Sequence, residues 1–374
     1  MVFIKSIKKR SLILIACILA AVVLASCLYL IIPSPGAETV YVDPQWYRVL
    51  DFFFQARNQS LMYGTFDALK SMYILNEQNG KWAFEAEVKR SKYLKNWSER
   101  QGVTFSSIVS KFDVKRAKKV GRGYAFYIIV STEYKYAYNN DPENVNMFRI
   151  GTCHTLDLIP GVTEGAWAIS REWYLDPFQD SLMLNELKAA DINAFVTSQP
   201  PRDFSAIVER RRKAVAYADR YAGAAGDEEY GYTYNKEYRD FSGAGGDCTN
   251  YTSQVLHEGG GFKKTGAWNY ARGGTSRAWG NAQGFKDYLI YSGRGSLIAR
   301  GTYSQVYKSA YKLLPGDVIS YQEKGKIVHT VVVTGADSRG YPMVNSHTVD
   351  RYRTPWDLGW NDSDIKFWLI RVHY

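Results

Sequence analysis

Histidine and cysteine are scarce here, five and four in 374 residues. No two histidines stand at i, i+4 and no two cysteines lie close together, so a zinc or iron site would have to gather scattered ligands. No metal or other cofactor is expected. Cys17 and Cys27 fall in an apolar N-terminal run, which leaves Cys153 and Cys248 for the rest of the chain. Two cysteines make no disulfide framework, and no structural disulfide is expected. Hydrophobic cores must therefore hold the chain, and the roughly 340 residues after the N-terminal run suffice for two. Acidic excess is also missing. The formal charge is +10, of which Lys5, Lys8, Lys9 and Arg10 supply four. The remaining excess of about +6 suits an anionic cell wall or membrane surface and requires no nucleic acid.

Residues 12–32 form a nearly unbroken apolar stretch behind that basic flank. About 20 residues cross a bilayer core, and a basic flank stays cytoplasmic. A single-pass transmembrane helix with the bulk of the chain outside is the expectation. The rival is a lipoprotein signal ending at Leu24-Ala25-Ser26-Cys27, with Cys27 lipidated. Against it, Leu28 to Ile32 continue the apolar run where a mature lipoprotein turns small and polar.

Asp247-Cys248-Thr249-Asn250 follows Gly243, Gly245 and Gly246, and Cys248, Tyr251 and Val255 then repeat at helical spacing up to Gly259-Gly260-Gly261. The spacing predicts a short helix that begins at the thiol. The positive end of a helix favours thiolate over thiol and stabilises a nearby oxyanion. A nucleophile needs a base. Gly316-Asp317-Val318-Ile319 reads as a turn entering a strand, Lys324-Gly325-Lys326 as a hairpin tip, and Ile327 to Gly335 as a β-branched strand opening with His329. A further strand carries Asn345 and leads to His347. His257 at the helix end reads as a dipole partner, and His154 and His373 as structural or surface groups.

These residues resemble the amidase domains of bacterial surface proteins, relatives of the NlpC and CHAP cell-wall hydrolases in the papain-like superfamily. The resemblance covers about Tyr217 to Tyr374. It rests on Tyr234-Asn235, Tyr238-Arg239-Asp240, Gly245 to Tyr251 with Ser253-Gln254, Trp268, Gly316 to Ile319, His329 with Thr334-Gly335, and Ser346-His347-Thr348. It implies that Cys248 attacks an amide carbonyl, that His329 takes the thiol proton and returns it to the leaving amine, and that water resolves the thioester. A third group then orients His329. Asn345 and His347 are both eligible, and the NlpC relatives favour His347. The Cys248 N–H is the first oxyanion donor. Tyr234 or Tyr238 is the second by the NlpC pattern, whereas papain-like peptidases use a glutamine where this chain has Ser242 and Gly243. Asp247 is read as a local hydrogen-bonding group or a reader of a substrate amine.

Ahead of this lies a second unit. Asp43-Pro44 opens a helix striped by Trp46, Val49, Leu50, Phe53 and Phe54, and another helix is predicted over Trp82 to Arg100. Strands follow at Thr104–Ala117, Gly123–Tyr138, Met147–Ile159 and Trp167–Tyr174, with Tyr124, Phe126, Tyr134, Tyr136 and Tyr138 on one face. In element order this resembles the nuclear-transport-factor-like or SnoaL-like fold over about Pro44 to Leu182. That resemblance implies a concave sheet pocket for an unidentified ligand or partner, with a spacer as the alternative.

The expected fold is thus α+β: an N-terminal transmembrane helix (1–33), an α+β cone with a curved antiparallel sheet (44–182), a linker (183–205) broken at Gln199–Asp203, and a papain-like α+β cysteine hydrolase domain (206–374). The expected activity is that of an extracytoplasmic cysteine amidase or peptidase on cell-wall peptides. A catalytically silent surface binding or sensor module is the competing reading, and an acyltransferase using the same thioester is a third.

Overall fold

Helix α1 (Pro44–Tyr63) starts where the sequence places it, because Asp43 accepts the Gln45 N–H at 2.9 Å and Pro44 fills the first turn. The computed structural model describes residues 43–178, 189–226, 232–271, 274–360 and 364–374. Helix α2 (Gln78–Gln101) stops at Gly102, whose φ of 70° only glycine adopts freely. Four strands follow as an antiparallel meander: β1 (Val103–Val120), β2 (Gly123–Tyr138), β3 (Asp141–Pro160) and β4 (Trp167–Trp173). Their inner face buries Phe126, Ile128, Val130, Leu156 and Leu158 against Trp46, Leu50, Phe53 and Phe54 of α1. This helices-then-meander order matches the α+β expectation with an antiparallel sheet.

Helices α3 (Ala189–Thr197), α4 (Glu209–Arg220) and α5 (Cys248–Gln254) come next, α5 running into a π-helical turn over Val255–Gly259. After the small ribbon β5 (Tyr270–Ala271) and β6 (Gly274–Thr275), α6 (Ala282–Tyr291), β7 (Gly295–Gly301) and α7 (Tyr303–Ala310) lead to five more strands. These are β8 (Val318–Glu323), β9 (Lys326–Ala336), β10 (Pro342–Ser346), β11 (Asp350–Pro355) and β12 (Lys366–Val372). A single sheet runs β1-β2-β3-β11-β10-β9-β8-β12-β7, with β4 on the far half of β3. Strand β3 is long enough to pair with β11 through Arg149–Gly151 and with β4 through Thr155–Pro160.

The meander and the later strands therefore share one core. Tyr134, Tyr136, Phe148 and Ile150 pack in the same cluster as Tyr303, Val331, Trp356 and Phe367. Tyr136 and Tyr138 both donate to Asp337 Oδ2, at 2.9 and 2.7 Å. Arg100 and Asp357, both buried, form an ion pair, and Tyr341 donates to Asp357 Oδ1 at 2.6 Å. The stretch 183–205, expected as a linker, contains α3, whose Ile192 and Val196 are buried in that core. A two-unit reading had no means to see this, because burial by distant residues leaves no local pattern.

The expected transmembrane helix is corrected. No helix among the described residues is long and apolar enough to cross a membrane, and the stretch 12–32 on which it fell, like Cys27, lies outside those residues. What the fold shows is α+β with an antiparallel sheet.

Removing Arg100 strands the Asp357 carboxylate in the shared core. Arg100→Ala is expected to cost about 3–5 kcal/mol, read as a lower urea midpoint, and to loosen both halves together. Two separate unfolding transitions, with only one displaced, would contradict the shared core.

Candidate active site

The loop ahead of α5 is shaped by Asp247. Its Oδ1 accepts the Phe241 N–H at 3.0 Å and Asn250 Nδ2 at 2.9 Å, which ties the glycine loop to the first turn of the helix. Gly246 has φ 116°, and a Cβ there would meet Thr348 Oγ1 at 3.1 Å, so glycine suits both the turn and the close approach. Two indoles fix the helix from the side: Trp279 Nε1 donates to Asn250 Oδ1 at 2.8 Å and Trp268 Nε1 to Ser253 Oγ at 3.0 Å. Tyr251 and Val255 bury against Val332. Cys248 thus sits at a rigid helix start on the α4 side of the sheet.

Its thiol is buried. Sγ receives the Thr330 backbone N–H and lies 3.7 Å from Thr249 Oγ1. Burial raises the pKa above the ordinary cysteine value, opposed by those hydrogen bonds. The thiolate expected from the helix start is therefore not the resting form, since loss of hydration outweighs the help of a two-turn helix. The Cys248 N–H, expected as an oxyanion donor, points to Thr348 Oγ1 at 3.3 Å, which also takes the Asp247 N–H at 2.9 Å. Thr348 has φ 92°, a strained value for a β-branched residue, and strain of this kind gathers at functional sites.

His347 stands beside the same helix start. Nδ1 lies 2.7 Å from Asp247 Oδ2, Nε2 lies 2.7 Å from the Tyr221 carbonyl, and the ring stacks on Tyr251 at 4.0 Å. A carbonyl only accepts, so Nε2 carries a hydrogen. Burial disfavours the charged ring, but the Asp247 hydrogen bond, the Asp350 and Asp247 charges and the Tyr221 carbonyl outweigh it, and the pKa lies above the ordinary histidine value. Behind it, Asp350 accepts from the Tyr234 hydroxyl and from the Ala224 N–H at 2.8 Å, and burial raises its pKa.

His329 is elsewhere. Along β9 the side chains alternate: Thr330 meets Thr252 of α5 at 3.3 Å and Val332 packs under Tyr251, whereas Val331 and Val333 enter the opposite core. His329 belongs to that second set and lies between the rings of Tyr321 (5.5 Å) and Trp360 (5.1 Å). Cys248 and His329 are therefore on opposite faces of the sheet, and the expected Cys248–His329 pair does not form. Burial, with Arg351 nearby, pushes the His329 pKa down to about 3 and keeps the ring neutral.

The remaining candidates divide. Asn345 is buried on the Cys248 side but serves a structural network: Nδ2 donates to Asp219 at 2.9 Å, and Oδ1 accepts from Thr334 at 3.0 Å and the Arg353 N–H at 2.7 Å. It orients no imidazole. The Tyr238 hydroxyl is committed to Glu258, and its ring stacks on Trp279. Tyr234 is nearer, with its ring centroid 5.1 Å from that of His347 in an edge-on arrangement. Elsewhere, His257 Nδ1 donates to the Phe262 carbonyl at 2.7 Å, and His373 bridges Gly293 and Ser296. His154 is buried between Glu172 (2.6 Å) and Thr152 (2.7 Å). Sequence reasoning missed the Asp247–His347 pair and the role of Thr348. The one available signal was position, an acid just before the cysteine and a threonine just after the histidine.

Residues 208–370, from α4 into β12, match the model of the family described as "Putative amidase domain". "Uncharacterized protein YhbB" of Bacillus subtilis (strain 168) is 34% identical over 164 residues, 41% of this chain and 50% of that protein. The chain thus spans about half the length of this relative. Helices α1 to α3 and strands β1 to β4 lie outside the family match.

Two outcomes follow from the burial of these groups. In the folded protein iodoacetamide should modify exposed Cys153 before Cys248 near neutral pH, as mass spectrometry of the two peptides would show; preferential labelling of Cys248 would mean that its thiol is not shielded. A histidine held neutral when folded loses stability as pH falls, because only the unfolded chain takes up the proton between about 6.5 and about 3. His329→Phe keeps the ring stack and should gain on the parent by about 3 kcal/mol between pH 7 and pH 4, measured by urea melts. A constant difference would remove the desolvated neutral ring.

Proposed function

We propose that the chain hydrolyses amide bonds through Cys248, with His347 rather than His329 as its imidazole. The observation that carries this reading is the closure of Asp247, His347 and Thr348 on the first turn of α5, and the amidase-family match over residues 208–370 supports it. In the resting protein the Cys248 thiol is protonated and His347 holds hydrogens on both nitrogens. Catalysis begins when His347 gives its Nε2 proton to water and releases the Tyr221 carbonyl. Nε2 then takes the thiol proton, sulfur attacks the amide carbon, and the same proton passes to the leaving amine. Water, deprotonated by the freed Nε2, cleaves the thioester and restores the thiol. Asp247 holds Nδ1–H throughout and so fixes the tautomer. Displacement of Thr348 Oγ1 by the substrate frees the Cys248 N–H for the developing oxyanion.

The raised pKa of His347 sets the sign of the pH dependence. Its neutral form accumulates only above the ordinary histidine value, so the acidic limb of kcat/KM lies above pH 6.5. Peptide amides of the cell wall are the proposed substrate class, supported by the motif resemblance of the Cys248 segment and the chain's net positive charge. A second reading, a binding module without turnover, is favoured by the buried thiol, which has no base in contact with sulfur among the described residues.

The test is a digest of purified peptidoglycan by the full chain, read by mass spectrometry. Cys248→Ala should abolish product, His347→Gln should lower turnover by roughly 100-fold or more, and His329→Phe should stay within a few-fold of the parent. Equal products from the parent and Cys248→Ala would sink the cysteine mechanism. Loss in His329→Phe alone would return the imidazole role to residue 329, and no turnover by the parent selects the binding module.

A further inference from the structure

The outer face of the meander, outside the amidase-family match, continues the surface that carries the candidate site. Register gives the order of its cross-strand rows. Asp350 of β11 is opposite Gly151 of β3, which is opposite Ser131 of β2. A Cβ on Gly151 would meet the Ala224 backbone at 2.5 Å, so the segment after α4 lies directly on this row. Two residues further along β3 comes the row Asp113–Ile129–Cys153, and two further the row Arg116–Tyr127–Thr155–Trp173. The last row is open to solvent. Tyr127 is 42% and Trp173 66% exposed, and Arg116 and Thr155 are exposed beside them. The next row carries the Arg171–Asp157 pair at 2.8 Å.

Exposed tyrosine and tryptophan on one sheet face are not needed for the fold, because the residues that alternate with this row along β2 and β3, Phe126, Ile128 and Leu156, already fill the core on the inner face. Tyr127 and Trp173 are separated by one strand, roughly 10 Å, the reach of two linked pyranose rings. Thr155 lies between them, and Arg116, Arg171 and Asp157 surround them. Flat aromatic faces flanked by planar hydrogen-bonding groups suit sugar rings, which present C–H faces and hydroxyl edges at once. A purely apolar partner would desolvate Arg116 and the Arg171–Asp157 pair without offering either a hydrogen bond. From the Asp350 row to the Tyr127 row is four residues of β3, roughly 13 Å.

We infer that Tyr127 and Trp173 form a stacking platform for a carbohydrate chain, holding the glycan portion of the substrate beside Cys248. The assignment deepens the amide-hydrolase reading and rests on it for the identity of the bound chain, but the platform binds sugar whether or not the thiol turns over. This separates the two failures. Full-chain Cys248→Ala protein is titrated calorimetrically with the β-1,4-linked tetramer of N-acetylglucosamine, and the same protein carrying Tyr127→Ala or Trp173→Ala is titrated alongside. The tetramer should bind, with roughly a tenfold loss in each aromatic variant, while Trp173→Tyr recovers most of it. Both side chains are exposed, so the variants should match their parent in thermal melting. Absence of tetramer binding, unchanged affinity in the alanine variants, or displacement of the tetramer by a sugar-free peptide would each overturn the platform. Tetramer binding by a chain that digests nothing would retain the platform and remove the hydrolase.

Discussion

Strand β3 joins the meander to the later strands of the sheet. It has one edge wholly on β2 and divides the other between β11 and β4. Its residues 149–151 therefore fix β11, and β11 fixes the turn of His347 and Thr348 against the Cys248 helix. The candidate site is tied to residues 149–151, more than ninety residues before Cys248. The buried groups reinforce that tie, since Arg100–Asp357 and the two tyrosine hydroxyls on Asp337 are worth little in water but are costly to break once desolvated. The half outside the family match thus serves as a structural wall of the half inside it.

How far the sequence was legible depends on what each element requires. The long helices and all four meander strands were readable because caps, turns and period-two patterns are local: β2 has the predicted bounds, and α1 begins at the predicted Asp43-Pro44. The Cys248 helix was readable for the same reason. The pairing of its thiol was not. Strand β9 is β-branched and apolar on both faces, so no alternation in Val331-Val332-Val333 tells which face looks at α5. A one-residue difference in that assignment exchanges His329 for Thr330. The resemblance to papain-like enzymes filled the gap with His329, and packing chose Thr330. Helix α3 was lost in the expected linker because Ile192 and Val196 are buried by residues from α2 and the later strands, a tertiary effect with no local signature.

His329 and His347 illustrate how one side chain takes opposite characters. Both are buried. His329 has aromatic rings on both sides and a cation nearby, so desolvation prevails and the ring stays neutral. His347 is desolvated too, but two carboxylates and a carbonyl around it outweigh that loss and raise its pKa above the ordinary histidine value. Of the two, only the second has surroundings that favour taking up a proton, and it is hydrogen-bonded to Asp247 at the start of the Cys248 helix. Environment, more than position in a familiar motif, decides which histidine is chemically available.

Burial also governs the protonation of Cys248. A thiolate formed in the buried pocket would lie next to the Asp247 carboxylate, a repulsion that raises the Cys248 pKa further. Keeping the thiol protonated and His347 paired avoids two uncompensated charges in a low-dielectric space. The cost is carried by Thr348, whose φ of 92° sits outside the comfortable range of a β-branched residue while its hydroxyl occupies two backbone donors. In the proposed mechanism a substrate carbonyl would replace Thr348 Oγ1, take up those hydrogen bonds and let the threonine relax. Under that proposal the Cys248 and Asp247 N–H groups are uncovered for an oxyanion only when an amide displaces the threonine.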